Sequence, residues 1–174
     1  IVAPWAGSRV GIVDIGHNAL DLAVFEKLVN IGQRSTSFSQ SGMYAVYQAL
    51  AGEIFRQFDY EVTPEQAEAI ARAGSMRLDG KTFSIAGQKQ AACRQAAEQV
   101  VARVKSTWPD LRTLEKILFC GGGSLALAEY LTAAFGEKAV IVANPVQANA
   151  RGYLKYAARI WKETAGEMSE RDET

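Results

Sequence analysis

Residues 9–26 read RVGIVDIGHNALDLAVFE, and the fold follows from this stretch. Val10, Ile12, Val13 and Ile15 are apolar and mostly β-branched, which favours a buried strand. Gly16, His17 and Asn18 are turn residues. Leu20, Leu22 and Val24 then resume as a second strand, with Asp21 its one interior charge. The stretch is therefore a hairpin with Asp14 and Gly16 where its first strand ends. Glycine lets the backbone approach a bound group closely, and the N–H groups of a turn form an anion-binding concavity. Asp14 stands where a carboxylate can hold a magnesium ion, directly or through water. Taken alone, these residues fit two readings: a tip that cradles phosphate, and an ordinary hairpin with a polar tip.

Downstream, residues 28–38 read as a third strand with a bend or bulge at Asn30 and Gly32, completing an antiparallel meander. Met43, Val46, Tyr47, Leu50, Ile54 and Phe58 recur at helical spacing, predicting a helix from Ser41 to about Phe58 capped by Ser39 or Ser41. Thr63-Pro64 opens a second helix that ends at Gly74. Asp79-Gly80, flanked by alternating residues, marks a small hairpin over 76–85. A long helix over 87–107 buries Cys93, Ala96, Ala97, Val100, Val101 and Val104. Residues 114–120 are a strand ending in a continuous apolar run, the mark of a strand covered on both faces. Gly121-Gly122-Gly123-Ser124 leads into a helix with Leu125, Ala128, Leu131 and Phe135 on its stripe. A strand over 139–143, the Asn144-Pro145 turn and a helix over 147–162 finish the fold, and 163–174 reads as a disordered polar tail.

The order is three antiparallel strands followed by parallel crossover units. This predicts an α/β domain over 1–162 with a mixed five-stranded sheet and helices on both faces. A helix–hairpin insertion occupies about 59–86. Ligands of such sheets bind beyond the strand ends.

Composition narrows the function. The 174 residues carry 19 basic and 19 acidic side chains, which gives no electrostatic footprint for direct nucleic-acid or membrane binding. A DNA partner reached through an adaptor stays open. One histidine, His17, excludes a multi-histidine metal site. Cys93 and Cys120, both in apolar surroundings, read as reduced packing residues of a cytoplasmic protein. No apolar run is long enough to span a bilayer. Lacking an initiator methionine, the chain reads as a piece of a longer protein.

Two glycine-bearing turns carry the candidate chemistry. One is residues 14–18. The other is 121–124, where three glycines permit close approach and the following helix supplies free N–H groups and a positive dipole end. Equally, those glycines serve a tight strand-to-helix turn. Neither the GxGxxG fingerprint nor a P-loop is present. Ser124 has no histidine partner in sight, and no paired-carboxylate catalysis is read from Asp14 and Asp21. Tyr44, Tyr47, Tyr153 and Tyr156 lie at helical spacing and read as core or interface.

The two turns, in this order and spacing, resemble the second half of an actin-like ATPase, the superfamily of actin, Hsp70 and sugar kinases. VGIVDIGHNALDLAVF is similar to its second phosphate-binding hairpin and LFCGGGSLAL to its adenosine-binding turn. GSMRLDGKTFSI and VANPVQANARGYLKYA further resemble plasmid-segregation actins of the ParM/StbA type. The resemblance covers about residues 10–158 and implies a ribonuclease-H-like domain binding ATP or GTP with magnesium. It implies that Asp14 faces Mg²⁺ through water and that Gly16, His17 and Asn18 offer N–H groups to the β- and γ-phosphates. Gly121, Gly122, Gly123 and Ser124 would border the adenosine, with Asn144 or Gln147 near the base. Gln88, Arg94 or Gln95 would meet the ribose. His17 and Asn18 depart from the glycine- or threonine-bearing hairpins of other branches. The first phosphate loop and the water-positioning residue belong to the other half of such proteins. The isolated chain is therefore expected to bind nucleotide weakly and not to hydrolyse it efficiently. The full-length parent is expected to be a filament-forming ATPase for plasmid or DNA segregation, working with a DNA-binding adaptor. The alternatives are a kinase of the same fold or a non-catalytic scaffold.

Overall fold

The computed structural model describes the backbone of residues 5–172 and the side chains as far as Trp161. β1 (Arg9–Ile15) and β2 (Ala19–Glu26) form the expected hairpin, in register from Arg9↔Glu26 to Ile15↔Leu20. Alternation sends Val13, Ile15, Leu20, Leu22 and Val24 to one face, where each is at most 1 % exposed. Arg9 pairs with Glu26 at 2.9 Å across the open end.

The expected third strand is broken in two. Lys27 and Leu28 reverse the chain at positive φ, leaving only Val29–Asn30 as β3. The anticipated bulge is a full 3₁₀ turn, Gly32–Arg34, whose last carbonyl accepts a bond from the Trp108 indole at 2.9 Å. The chain then rejoins β2 as β4 (Thr36–Ser39). The sheet consequently has six segments rather than five: β3, β2 and β1 are followed by two later strands, Lys116–Cys120 and Ala139–Ile141, with β4 also on β2.

α1 (Met43–Phe58) follows, and neither serine caps it. Gly42 occupies the cap position, and the Ser41 hydroxyl donates to Ser39 C=O. The first N–H groups of α1 are instead satisfied by the hairpin tip, as described below. α2 (Pro64–Ala73) opens after Thr63 as expected; Thr63 caps it in a reciprocal pair with Gln66, and it ends at Gly74 in the left-handed region. β5 (Ser75–Leu78) and β6 (Lys81–Ser84) turn through Asp79 and Gly80, both at positive φ, and form their own two-stranded sheet.

α3 (Ala86–Thr107) packs on α1 and buries Ala92, Cys93, Ala96, Ala97, Val100 and Val104, with Val101 only half-buried. β7 (Lys116–Cys120) is parallel to β1, and Ile117 to Cys120 are all buried, as a strand covered on both faces requires. The next helix is interrupted: α4 (Gly123–Ala126) and α5 (Ala128–Phe135) meet at Leu127. The break rotates the stripe, so Leu127 is buried while Leu125 is 57 % exposed. β8 (Ala139–Ile141) extends the parallel part, and a 3₁₀ turn, Pro145–Gln147, leads into α6 (Ala148–Asp172). α6 thus continues past the boundary expected at 162. The tail side chains lie outside the described residues.

The sheet faces are covered unequally. Against one lie α1, α3 and α5 with the main core. Against the other, Val10, Leu118, Cys120 and Val142 meet Ala148 at the start of α6, with Trp5 and Phe25 packed beside them. Farther along α6, Tyr153, Leu154, Tyr156 and Trp161 are exposed, so the two later tyrosines are not core. No described helix is long and apolar enough to cross a membrane.

Candidate nucleotide site

The hairpin tip is bolted to α1. Gly16 C=O accepts from Met43 N–H at 2.9 Å, His17 C=O from Tyr44 N–H at 2.8 Å and Asn18 C=O from Ser41 N–H at 3.0 Å. These bonds satisfy the start of α1 in place of a serine cap. They require close approach: a β-carbon on Gly42 would sit 2.9 Å from Ala19 C=O and overlap Gly16 C=O. Gly16 N–H is spent on Ala19 C=O at 3.0 Å, so it is not available to a ligand in this conformation. The amides of His17 and Asn18 have no hydrogen-bond partner among the described residues. Both residues are exposed, and the His17 ring leans on Tyr47 with centroids 6.0 Å apart.

Asp14 lies beside the second turn. It pairs in register with Cys120, the residue before Gly121, so β1 and β7 deliver the two loops to one edge of the sheet. Gly121 has φ +78°, and a β-carbon there would overlap both Asp14 Oδ1 and Ile15 C=O. A β-carbon on Gly123 would sit 3.0 Å from Ile15 Cβ. Two of the three glycines are therefore demanded by packing against the end of β1. Gly122 is different: it is exposed, and its β-carbon position has only Val146, at 3.9 Å, nearby. Ser124 is fully buried and its hydroxyl donates to Gly121 C=O at 2.8 Å. Its hydroxyl thereby helps to hold the turn.

Asn144 is exposed at φ +53°, and its turn abuts the glycine bend through Gly121 N–H to Pro145 C=O at 3.0 Å. Gln147 N–H closes the same turn on Asn144 C=O at 3.0 Å. The three candidates on α3 diverge. Gln88 is buried and bonded to Gln57 at the far end of α1, which removes it from the site. Arg94 lines a groove between α3 and α5 with Tyr130, and Gln95 faces α1 beside Gln48.

Two residues not assigned from sequence join Asp14. Asp21 is its direct partner across the hairpin, so the two carboxylates share one face of the sheet. Counting outward from the turn would have found it. Asn149, in the first turn of α6, donates its amide to Asp14 Oδ2 at 2.6 Å. Cys120, on the other side of Asp14, has its thiol pushed up to about 12 by burial first and then by Asp14 and Asp21. A pair of carboxylates suits Mg²⁺, which takes one or two of them and leaves its other positions to water and phosphate. Among the described residues no group of three or more His, Cys, Asp or Glu side chains is placed to hold a metal. An ion at Asp14 would accordingly draw its remaining ligands from a bound phosphate and water.

Comparison with known proteins assigns this mixed sheet, with its two converging loops, to the actin-like fold. The profile of the family described as archaeal actin homologue MreB-like, C-terminal, matches residues 12–133, and the chain belongs to that family. No curated protein matches the chain in sequence. Among solved structures, a ParM filament from Clostridium botulinum superposes with TM-score 0.75 at 20 % identity, covering 88 % of this chain and 46 % of that one. Ta0583, an archaeal actin homologue, in complex with ADP, gives TM-score 0.74 at 16 % identity, covering 91 % and 53 %. Bacillus thuringiensis ParM with ADP gives 0.67 at 19 %, covering 90 % and 48 %. The chain spans about half the length of these structures.

Proposed function

We propose that this chain is the second, nucleotide-binding half of an actin-like ATPase of the ParM type. The observation that carries the reading is the convergence of Asp14 with the Gly121 bend, two loops more than a hundred residues apart. The His17 and Asn18 amides and Asp14 would hold the phosphates and their Mg²⁺, which when bound neutralises phosphate charge. Gly122 and Asn144 would border the adenosine. Two ADP-bound structures of the same fold support the choice of ligand.

ATP or GTP is the expected nucleotide, and only half of its surroundings lies in this chain. Transfer of a phosphoryl group needs positioning from both sides. The chain alone therefore binds weakly and turns over negligibly. The parent in this reading forms filaments and segregates DNA through an adaptor in the cytoplasm; a ParM filament among the structures of the same fold supports the filament part. Titration of a fluorescent ADP analogue in magnesium buffer tests the site: saturable binding that Asp14→Ala weakens is expected, and no binding at millimolar protein would overturn it. Light scattering of the full-length parent with MgATP tests filament formation.

A further inference from the structure

Asp14 is gripped at both carboxylate oxygens. Oδ1 occupies the space that a β-carbon on Gly121 would need, and Oδ2 accepts the Asn149 amide at 2.6 Å. The turn that presents Asn149 is itself tied to Gly121 through Pro145 C=O at 3.0 Å. The backbone supporting the donor is thus fixed to the backbone supporting the oxygen opposite.

An amide is an apt holder. It is neutral, so it orients the carboxylate without cancelling its charge, as a lysine or arginine would. With Asp21 in register beside Asp14, the charge at this edge stays negative and open to a cation. The contact is exposed, so folding does not demand it: water would satisfy either partner.

We propose that Asn149 is a positioning residue for the metal–nucleotide site, holding Asp14 in the rotamer that faces a magnesium-bound phosphate. This rests on the nucleotide-binding reading above. It also makes the root of α6 part of the site.

The test uses the ADP analogue in MgCl₂ and in EDTA. Asn149→Ala is expected to weaken binding roughly three- to ten-fold in magnesium, the worth of one hydrogen bond, and to change binding in EDTA little. Alanine is a good helix former, so α6 is not endangered. Asn149→Asp places a third carboxylate against Asp14 and Asp21. It is expected to lower Tm in EDTA and to recover more Tm than wild type when Mg²⁺ alone is added. An equal loss with and without magnesium for Asn149→Ala, or a Tm of Asn149→Asp indifferent to Mg²⁺, overturns the inference and leaves nucleotide binding standing. Absence of any binding by the wild-type chain overturns both.

Discussion

Gly121 stands against the Asp14 carboxylate with no room for a β-carbon between them. This contact joins the two candidate loops, and it makes the three glycines unequal. Gly121→Ala meets a forbidden φ, Asp14 Oδ1 and the backbone of Ile15, with the Ile15 carbonyl carbon only 2.7 Å away. The expected cost is about 3 kcal/mol. Gly122→Ala enters open space and should stay within about 1 kcal/mol of wild type. Urea unfolding of both variants checks the contrast; equal costs would mean that the bend does not lie against β1.

Removing the carboxylate separates charge from packing. Asp14→Asn keeps the shape and loses the anion, so the magnesium-dependent part of ADP-analogue affinity should vanish. Affinity in EDTA should hold or rise, because repulsion of the phosphates is relieved. A magnesium effect that survives Asp14→Asn would place the ion elsewhere.

Gly42→Ala probes the attachment of the hairpin tip to α1. Its β-carbon would press on Gly16 and Ala19 carbonyl oxygens, which are backbone and cannot swing aside. A loss of about 2 kcal/mol, or roughly 4–8 °C in Tm, is expected. Thermal melts read it directly, and a neutral result would contradict the close approach described.

Cys120 predicts an alkaline weakness. Its thiol ionises at about 12 in the fold against 9.0 ordinarily, through burial first and the Asp14 and Asp21 charges second. The folded state therefore holds the proton more tightly than the unfolded chain. The associated stability is complete below pH 9 and declines as pH rises from 9 toward 12. Denaturant melts at pH 8, 9.5 and 10.5 should show this decline, and Cys120→Ala should flatten much of it. Native Cys120 should also resist thiol reagents at pH 8 until the protein unfolds.

What the chain disclosed before its coordinates depended on how far each interaction reaches. The β1–β2 hairpin, the helix start at Thr63-Pro64 and the Asp79-Gly80 turn rest on neighbours within a few residues, and all three are as expected. Ser41 looked like a cap because local chemistry favours it, but carbonyls of residues 16 and 17 fill that role from across the fold. Leu125 was assigned inward by counting through a helix that breaks at Leu127. The bond from the Ser124 hydroxyl to Gly121 C=O was not legible, because sequence shows a hydroxyl but not its acceptor. Asn149 was invisible for the same reason: 135 positions separate it from Asp14, and nothing local marks it.

The bolting of the hairpin tip to α1 bears on how an anion would be received there. With three of its carbonyls already committed, the loop has its shape before any guest arrives. Little chain entropy remains to be surrendered if an anion is captured there, so the loop need not fold in order to receive it.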